Sequence, residues 1–316
     1  MQVFAQKRQN IYFLKDNGRF VKSIDSADYV RVIQEPDSGS TLFNLLEFYR
    51  KDNKYKRVGH VSAFEPAPVL EGTVLSYYKS GSKQEVVTYE RNVPRGPAVY
   101  YYENGKVQKT LEYGDTGTAQ LFDLKKTIYY KIISYYDSTG VQTVENGNGH
   151  IKVISGPEKS VEEEGDIRDG VKEGTWKGAF LKTGNRYEEL FSAGKFVSGV
   201  ATLSDETTYE YRKNEEPPEF NGGEQGFLRF VQRTFRYPAD AIKTGVSGRV
   251  ILSFVVEKDG SVSDIKVLRS VSPSIDEEAI RTLRISRNWK PGRQHGIPVR
   301  VAVTLPLALN LGAPGR

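Results

Sequence analysis

The sequence predicts an all-β repeat region, a meandering antiparallel sheet, followed by an α+β C-terminal domain with a three-stranded antiparallel sheet and two helices. Three observations carry this reading. Tyr-rich segments, each followed by a glycine, recur through the first two-thirds of the chain. The stretch "RKNEEPPEFNGGEQG" (Arg212–Gly226) then brings together acidic residues, paired prolines and paired glycines, which suit a linker. Beyond it the apolar pattern switches between helical and strand periods.

The repeats come first. "EGTVLSYYKSG" (Glu71–Gly81) aligns with "RGPAVYYYENG" (Arg95–Gly105) at a shift of 24, pairing Gly72 with Gly96, Tyr77 with Tyr101, Tyr78 with Tyr102 and Gly81 with Gly105. "EGTWKGAFLKTG" (Glu173–Gly184) is a weaker copy, and Asn10–Gly18, Leu45–Asn53 and Ile132–Gly140 read as half-copies. A period in the twenties signals an array of small units that cannot bury their faces alone. Each unit reads as two strands joined by a turn, with Gly and Asn where φ must be positive. Residues 45–212 resemble the MORN-type repeats, which implies a scaffold or interaction surface. The expected division is a repeat sheet over 1–211, a linker over 212–226 and a compact domain over 227–316.

In that last domain, Phe227, Leu228, Val231 and Phe235 mark one face of a helix that Tyr237-Pro238 terminates. "ADAIKTG" is a short helical turn with Gly245 beyond its end. Val250, Leu252, Phe254 and Val256 alternate along a strand, Lys258–Gly260 makes a hairpin turn, and Ile265 and Val267 alternate on the return. A second helix follows, with Ser274 and Glu277 as a capping box and Ile275, Ala279, Ile280 and Leu283 as its buried stripe. "GIPVRVAVTLPLAL" (Gly296–Leu309) is the third strand, and Pro306 assigns it to a sheet edge because proline cannot donate to a ladder.

This segment resembles the TonB C-terminal domain. The resemblance rests on Tyr237-Pro238, Ala241, Gly245-Val246, Gly248-Arg249-Val250, Phe254, Asp259-Gly260, Val267, Asp276–Ala279, Trp289-Lys290-Pro291-Gly292, Pro298-Val299 and Thr304-Leu305-Pro306, with "PPEFNGG" as a lead-in. It implies a periplasmic protein of the Gram-negative envelope, exported with a signal peptide largely absent from this sequence. It also implies capture of the N-terminal box of an outer-membrane TonB-dependent transporter as an added β-strand. The expected peptide-binding edge is Val299, Arg300, Val301, Ala302, Val303, Thr304 and Leu305, with the valines inward. Arg287, Lys290 and Arg293 form a candidate basic rim that steers an acidic partner. A homodimer formed through the same edge, in a self-associating envelope scaffold, is the alternative.

Other classes find little support. No apolar run reaches the ~18–20 residues of a membrane helix. An energy transducer needs such a helix and a long proline-rich spacer, and the sequence displays neither. The excess of 45 Lys and Arg over 40 Asp and Glu is small, so nucleic acid is not an expected partner. The absence of cysteine excludes thiol catalysis and disulfides. His60, His150 and His295 are far apart and read as surface histidines, and "VEEEGD" (Val161–Asp166) as a solvated loop, so no metal site is expected. "ENGNGHIK" (Glu145–Lys152) reads as a turn, since a phosphate loop needs a further glycine and a following helix. No nucleophile–base pair or cofactor fingerprint appears. The expectation is a non-enzymatic protein without a cofactor.

Overall fold

The computed structural model describes residues 8–114, 130–155, 161–287 and 289–309. Among them, sixteen strands form one antiparallel sheet in chain order. The first eight are β1 (Gln9–Leu14), β2 (Tyr29–Gln34), β3 (Phe43–Tyr49), β4 (Tyr55–Ala63), β5 (Val69–Tyr77), β6 (Lys83–Glu90), β7 (Val93–Tyr101) and β8 (Val107–Tyr113). The next eight are β9 (Tyr130–Tyr136), β10 (Gln142–Glu145), β11 (Asn148–Ser155), β12 (Val161–Arg168), β13 (Val171–Phe180), β14 (Asn185–Ser192), β15 (Lys195–Thr202) and β16 (Thr208–Tyr211). The chain divides into two compact units. One is Met1–Val153, Glu163–Trp176 and Ser192–Lys195, and the other is Ile154–Glu162, Lys177–Phe191 and Phe196–Arg316.

In the first unit the repeats translate into recurring geometry. Gly81 and Gly105 both have positive φ, and each closes a turn in which a tyrosine amide, Tyr78 or Tyr102, donates to the carbonyl four residues on. The hydroxyls of Tyr49, Tyr78 and Tyr102 donate to the carbonyls of Tyr77, Tyr101 and Tyr136, each in the following unit, at 2.8–2.9 Å. Successive hairpins are thus bonded by side chain as well as by backbone. Ile33, Leu45, Val61, Val74, Val87, Ala98 and Leu111 are at most 3% exposed. Beside them Glu47 is buried between Arg31 (Nε–Oε1 2.7 Å) and Arg57 (Nε–Oε2 3.8 Å). A buried carboxylate left without its guanidinium would cost about 3–5 kcal/mol.

A second device appears where β12 meets β13. The indole of Trp176 lies over Gly165 so closely that a Cβ there would sit 2.4 Å from the ring. In the second unit Tyr187 covers Gly178 and Tyr211 covers Gly199 in the same way. The glycine accommodates the ring and the ring buries the bare backbone. Val161–Asp166, expected as a solvated loop, is therefore part of strand β12. Its acidic residues pair across the sheet, Glu163 with Lys172 and Glu164 with Lys152, while Gly165 carries the indole.

The remaining elements are the short strands β17 (Glu215–Glu216) and β18 (Glu219–Phe220), the helices α1 (Gly223–Thr234) and α2 (Ala239–Thr244), the hairpin β19 (Gly248–Val256) and β20 (Val262–Arg269), helix α3 (Pro273–Arg284), and strands β21 (Trp289–Lys290), β22 (Gly292–Gln294), β23 (Ile297–Val299) and β24 (Val301–Leu309). The central sheet has the order β20-β19-β24. Val250, Leu252, Phe254 and Val256 are at most 1% exposed and form the floor of one core with Phe227, Val231, Ile275, Ala279 and Leu283 from the helices. Full burial of a side chain such as Phe254 contributes roughly 1.5–3 kcal/mol.

Three expectations change here. Leu228 is 40% exposed, because Phe230 completes the i, i+3, i+4 face with Phe227 and Val231. Helix α3 is capped by Ser272, whose hydroxyl accepts from the Ile275 amide at 3.4 Å, and not by Ser274. Pro273, pre-set for the first helical position, starts the helix earlier, and the Ser274 hydroxyl donates instead to Asp240 at 2.7 Å. The stretch Arg212–Gly226 is ordered in part: β17 pairs with β22 and β18 with β21.

Candidate functional site

Strand β24 is the outermost strand of the central sheet. It pairs with β19 in unbroken antiparallel register over nine residues, from Val256↔Val301 to Gly248↔Leu309. Val303, Leu305, Leu307 and Leu309 pack on the core, whereas Ala302, Thr304, Pro306 and Ala308 are exposed. Pro306 sits opposite Ile251 without disturbing the register. A proline can do that only if its nitrogen points away from the neighbouring strand. Alternate residues share that orientation, so the N–H and C=O groups of Ala302 and Thr304 also face the open side.

The seven residues expected to form one edge do not lie on one strand. Val299 belongs to β23, which pairs with β22, and Arg300 interrupts the chain between β23 and β24. The reason is the Arg300 side chain. Its guanidinium grips Glu257 at 2.7 and 2.9 Å and Asp264 at 3.2 Å, at the turn end of the β19–β20 hairpin. That pairing holds the Glu257 carboxyl below the usual range. Val301, Ala302, Val303, Thr304 and Leu305 remain on β24, with Val303 inward as expected and Val301 packed against Gly292.

The three cations of the expected rim do not act as one group, and two of them are engaged separately. Lys290 pairs with Glu219 at 3.7 Å, the Arg293 guanidinium donates to the Gly296 carbonyl at 2.7 Å, and Arg287 is exposed beyond α3. Trp289, between them in sequence, is turned into the core against Phe220, Phe227 and Phe254.

His295 corrects the reading of the histidines as surface residues. It lies at the tip of the β22–β23 hairpin, with φ +49°, followed by Gly296 at +72°. Positive φ at both turn residues is what a two-residue hairpin with the strands' own twist requires. The tip sends the imidazole onto the last strands of the long sheet. There its Nδ1 lies 3.0 Å from Glu189 Oε1 and 3.2 Å from the Tyr211 hydroxyl, which itself donates to Glu189 at 2.8 Å. The ring stacks on Tyr187 at 4.6 Å and meets Phe180 edge-on. Burial, reinforced by Glu189, pushes the Tyr211 hydroxyl far above its ordinary range. This is a positioning cluster that pins a hairpin turn. The short turn was legible in "QHG", but its partners lie 84 and 106 residues away.

His150 is exposed and pairs with Asp166 at 2.8 Å. Among the described residues no group of three His, Cys, Asp or Glu is placed to hold a metal ion, and no helix is long and apolar enough to cross a membrane.

Residues 233–311, which contain the β20-β19-β24 sheet, match the family model of the Gram-negative bacterial TonB protein C-terminal domain. This segment is similar to the TonB C-terminal domain. Two solution structures of the Helicobacter pylori TonB C-terminal domain are similar to it. One is 26% identical and covers 28% of this chain and 95% of its own, with a TM-score of 0.23. The other is 28% identical and covers 30% and 91%, with a TM-score of 0.22. No curated protein matches the chain. The TonB C-terminal match leaves the sixteen-stranded sheet outside it.

Proposed function

We propose that the protein is a non-enzymatic, periplasmic binding protein of the Gram-negative envelope, whose TonB C-terminal domain captures an extended peptide by strand addition at β24. The peptide is the N-terminal box of an outer-membrane TonB-dependent transporter. The observation that carries this reading is the one-sided pairing of β24, with Ala302 and Thr304 exposed and their backbone groups facing the open side. Main-chain bonding gives affinity and alternate side chains give selectivity. Pro306 removes one donor and sets a limit to the pairing. The sixteen-stranded sheet is a MORN-like scaffold in this reading, within a division of 1–211, 212–226 and 227–316.

Calorimetric titration of the full chain with a box peptide tests the proposal. Thr304→Pro removes a donor on the open side and leaves the side facing β19 intact, so it should abolish binding while preserving the fold by circular dichroism. Absence of binding to the unmodified chain at high micromolar peptide overturns the transporter reading. The alternative, pairing of β24 between two copies, predicts a concentration-dependent mass in light scattering that Thr304→Pro reduces to the monomer.

A further inference from the structure

A cavity of about 510 Å³ opens beside the first strands of the long sheet, far along the chain from β24 and lined by Tyr12, Phe20, Arg31, Phe64, Glu65 and Pro66. Its volume is in the range of small-molecule sites. Tyr12 and Arg31 are direct partners across β1 and β2. Phe20 is held beside them by a bridge to Leu14, with its ring 5.8 Å from that of Tyr12, and Phe64 is fixed edge-on to Phe43 at 5.0 Å.

The two charges at this cavity differ in kind. Arg31 is 11% exposed; its Nε donates to Glu47, and one Nη reaches the Tyr29 hydroxyl at 3.4 Å. A guanidinium has five N–H donors, so donors remain for a ligand. Glu47 is shared with Arg57, which leaves this end with more positive than negative charge. Glu65 is exposed; one carboxylate oxygen accepts from the Tyr12 hydroxyl at 3.2 Å, and the other has no partner among the described residues. A carboxylate beside the rings of Tyr12, Phe20 and Phe64 is the chemistry that holds an ammonium group, because ring faces and carboxylate both attract a cation. The Tyr12 hydroxyl senses both ends: burial and then Glu65 raise its pKa, and Arg31 opposes them.

We propose that this cavity is a binding site for a small zwitterion, with its oxyanion on Arg31 and its ammonium group among Tyr12, Phe20, Phe64 and Glu65. Two oppositely charged anchors in one cavity select a ligand carrying both charges over either half alone. The site is independent of β24 and would stand if the peptide reading fell.

The test is calorimetric titration of the full chain with phosphocholine, choline and inorganic phosphate. Phosphocholine should bind at least about tenfold more tightly than either half, one factor of ten being about 1.4 kcal/mol. Glu65→Gln and Phe20→Ala should each weaken it about tenfold, and both alter exposed residues, so the fold should be retained. Arg31→Gln should lower the affinity for phosphocholine to that for choline, with circular dichroism as the control for its buried partner Glu47. Sedimentation with phosphatidylcholine vesicles separates a lipid head group from a soluble zwitterion as the source. Equal affinity for choline and phosphocholine, no phosphocholine binding, or unchanged binding in both Glu65→Gln and Phe20→Ala overturns the proposal.

Discussion

The long sheet and the TonB-like C-terminal domain are each held together in a different way. In the domain, thirteen buried residues from helices and strands meet in one core, so each contact depends on many others. In the sheet, cohesion is distributed. Each hairpin is fastened to the next by backbone pairing, by a tyrosine hydroxyl on a neighbour's carbonyl, or by a ring laid over a glycine. The lesson is that damage should spread in the first architecture and stay local in the second.

The largest break is expected from Phe254→Ala, which empties the centre of the domain core and should cost about 3–5 kcal/mol. Hydrogen exchange should rise throughout β19, β20, β24 and α3 and stay unchanged in β3–β8. A response confined to β19 would contradict the single-core description. Gly165→Ala comes next. Its Cβ would collide with the ring-fusion atoms of Trp176, which cannot swing aside as a side-chain tip can, at a cost of about 1–3 kcal/mol. Exchange should rise in β12 and β13 only, with a changed Trp176 emission; global destabilisation would show that the sheet is more cooperative than its contacts suggest.

The smallest effect is electrostatic. The Arg281 guanidinium, bonded to Glu278 at 2.6 Å, holds that carboxyl below its ordinary value of 4.5. A carboxyl lowered in the folded state adds stability above its unfolded pKa and loses it as pH falls through the folded one. Glu278→Gln should therefore lower the urea midpoint at about pH 7, and the difference from the unmodified protein should shrink as the pH falls below the ordinary carboxylate range. A difference that does not change with pH would remove Glu278 from the account of acid sensitivity.

What could be read from the sequence follows the same division. The β19–β20 hairpin was legible because Val250, Leu252, Phe254 and Val256 alternate without exception and Gly260 marks the turn. The recurring glycines were legible because only a few residue types tolerate φ near +80°. The cap of α3 was misread by two residues because Ser272 and Ser274 offer the same chemistry, and Pro273 decides between them. The break at Arg300 was hidden because Glu257 and Asp264 are 43 and 36 residues away. The Glu189–His295–Tyr211 cluster and the Tyr12–Arg31–Glu65 cavity share that cause. Each joins residues from separate strands, and no local period records which strands will be neighbours.

The turn glycines and tyrosine rungs have a consequence for how the molecule can change length. Because a hairpin engages only the hairpins beside it, one more copy of a unit such as Glu71–Gly81 with its return strand could be inserted, and the old neighbours would meet the same partners as before. Each insertion adds two strand spacings, about 10 Å of sheet, and no new long-range pairing has to be found during folding. The sheet is in this sense a ruler graduated in hairpins. Its strand number is set by copy number and can be altered by duplication without redesigning the C-terminal domain that follows it in the chain.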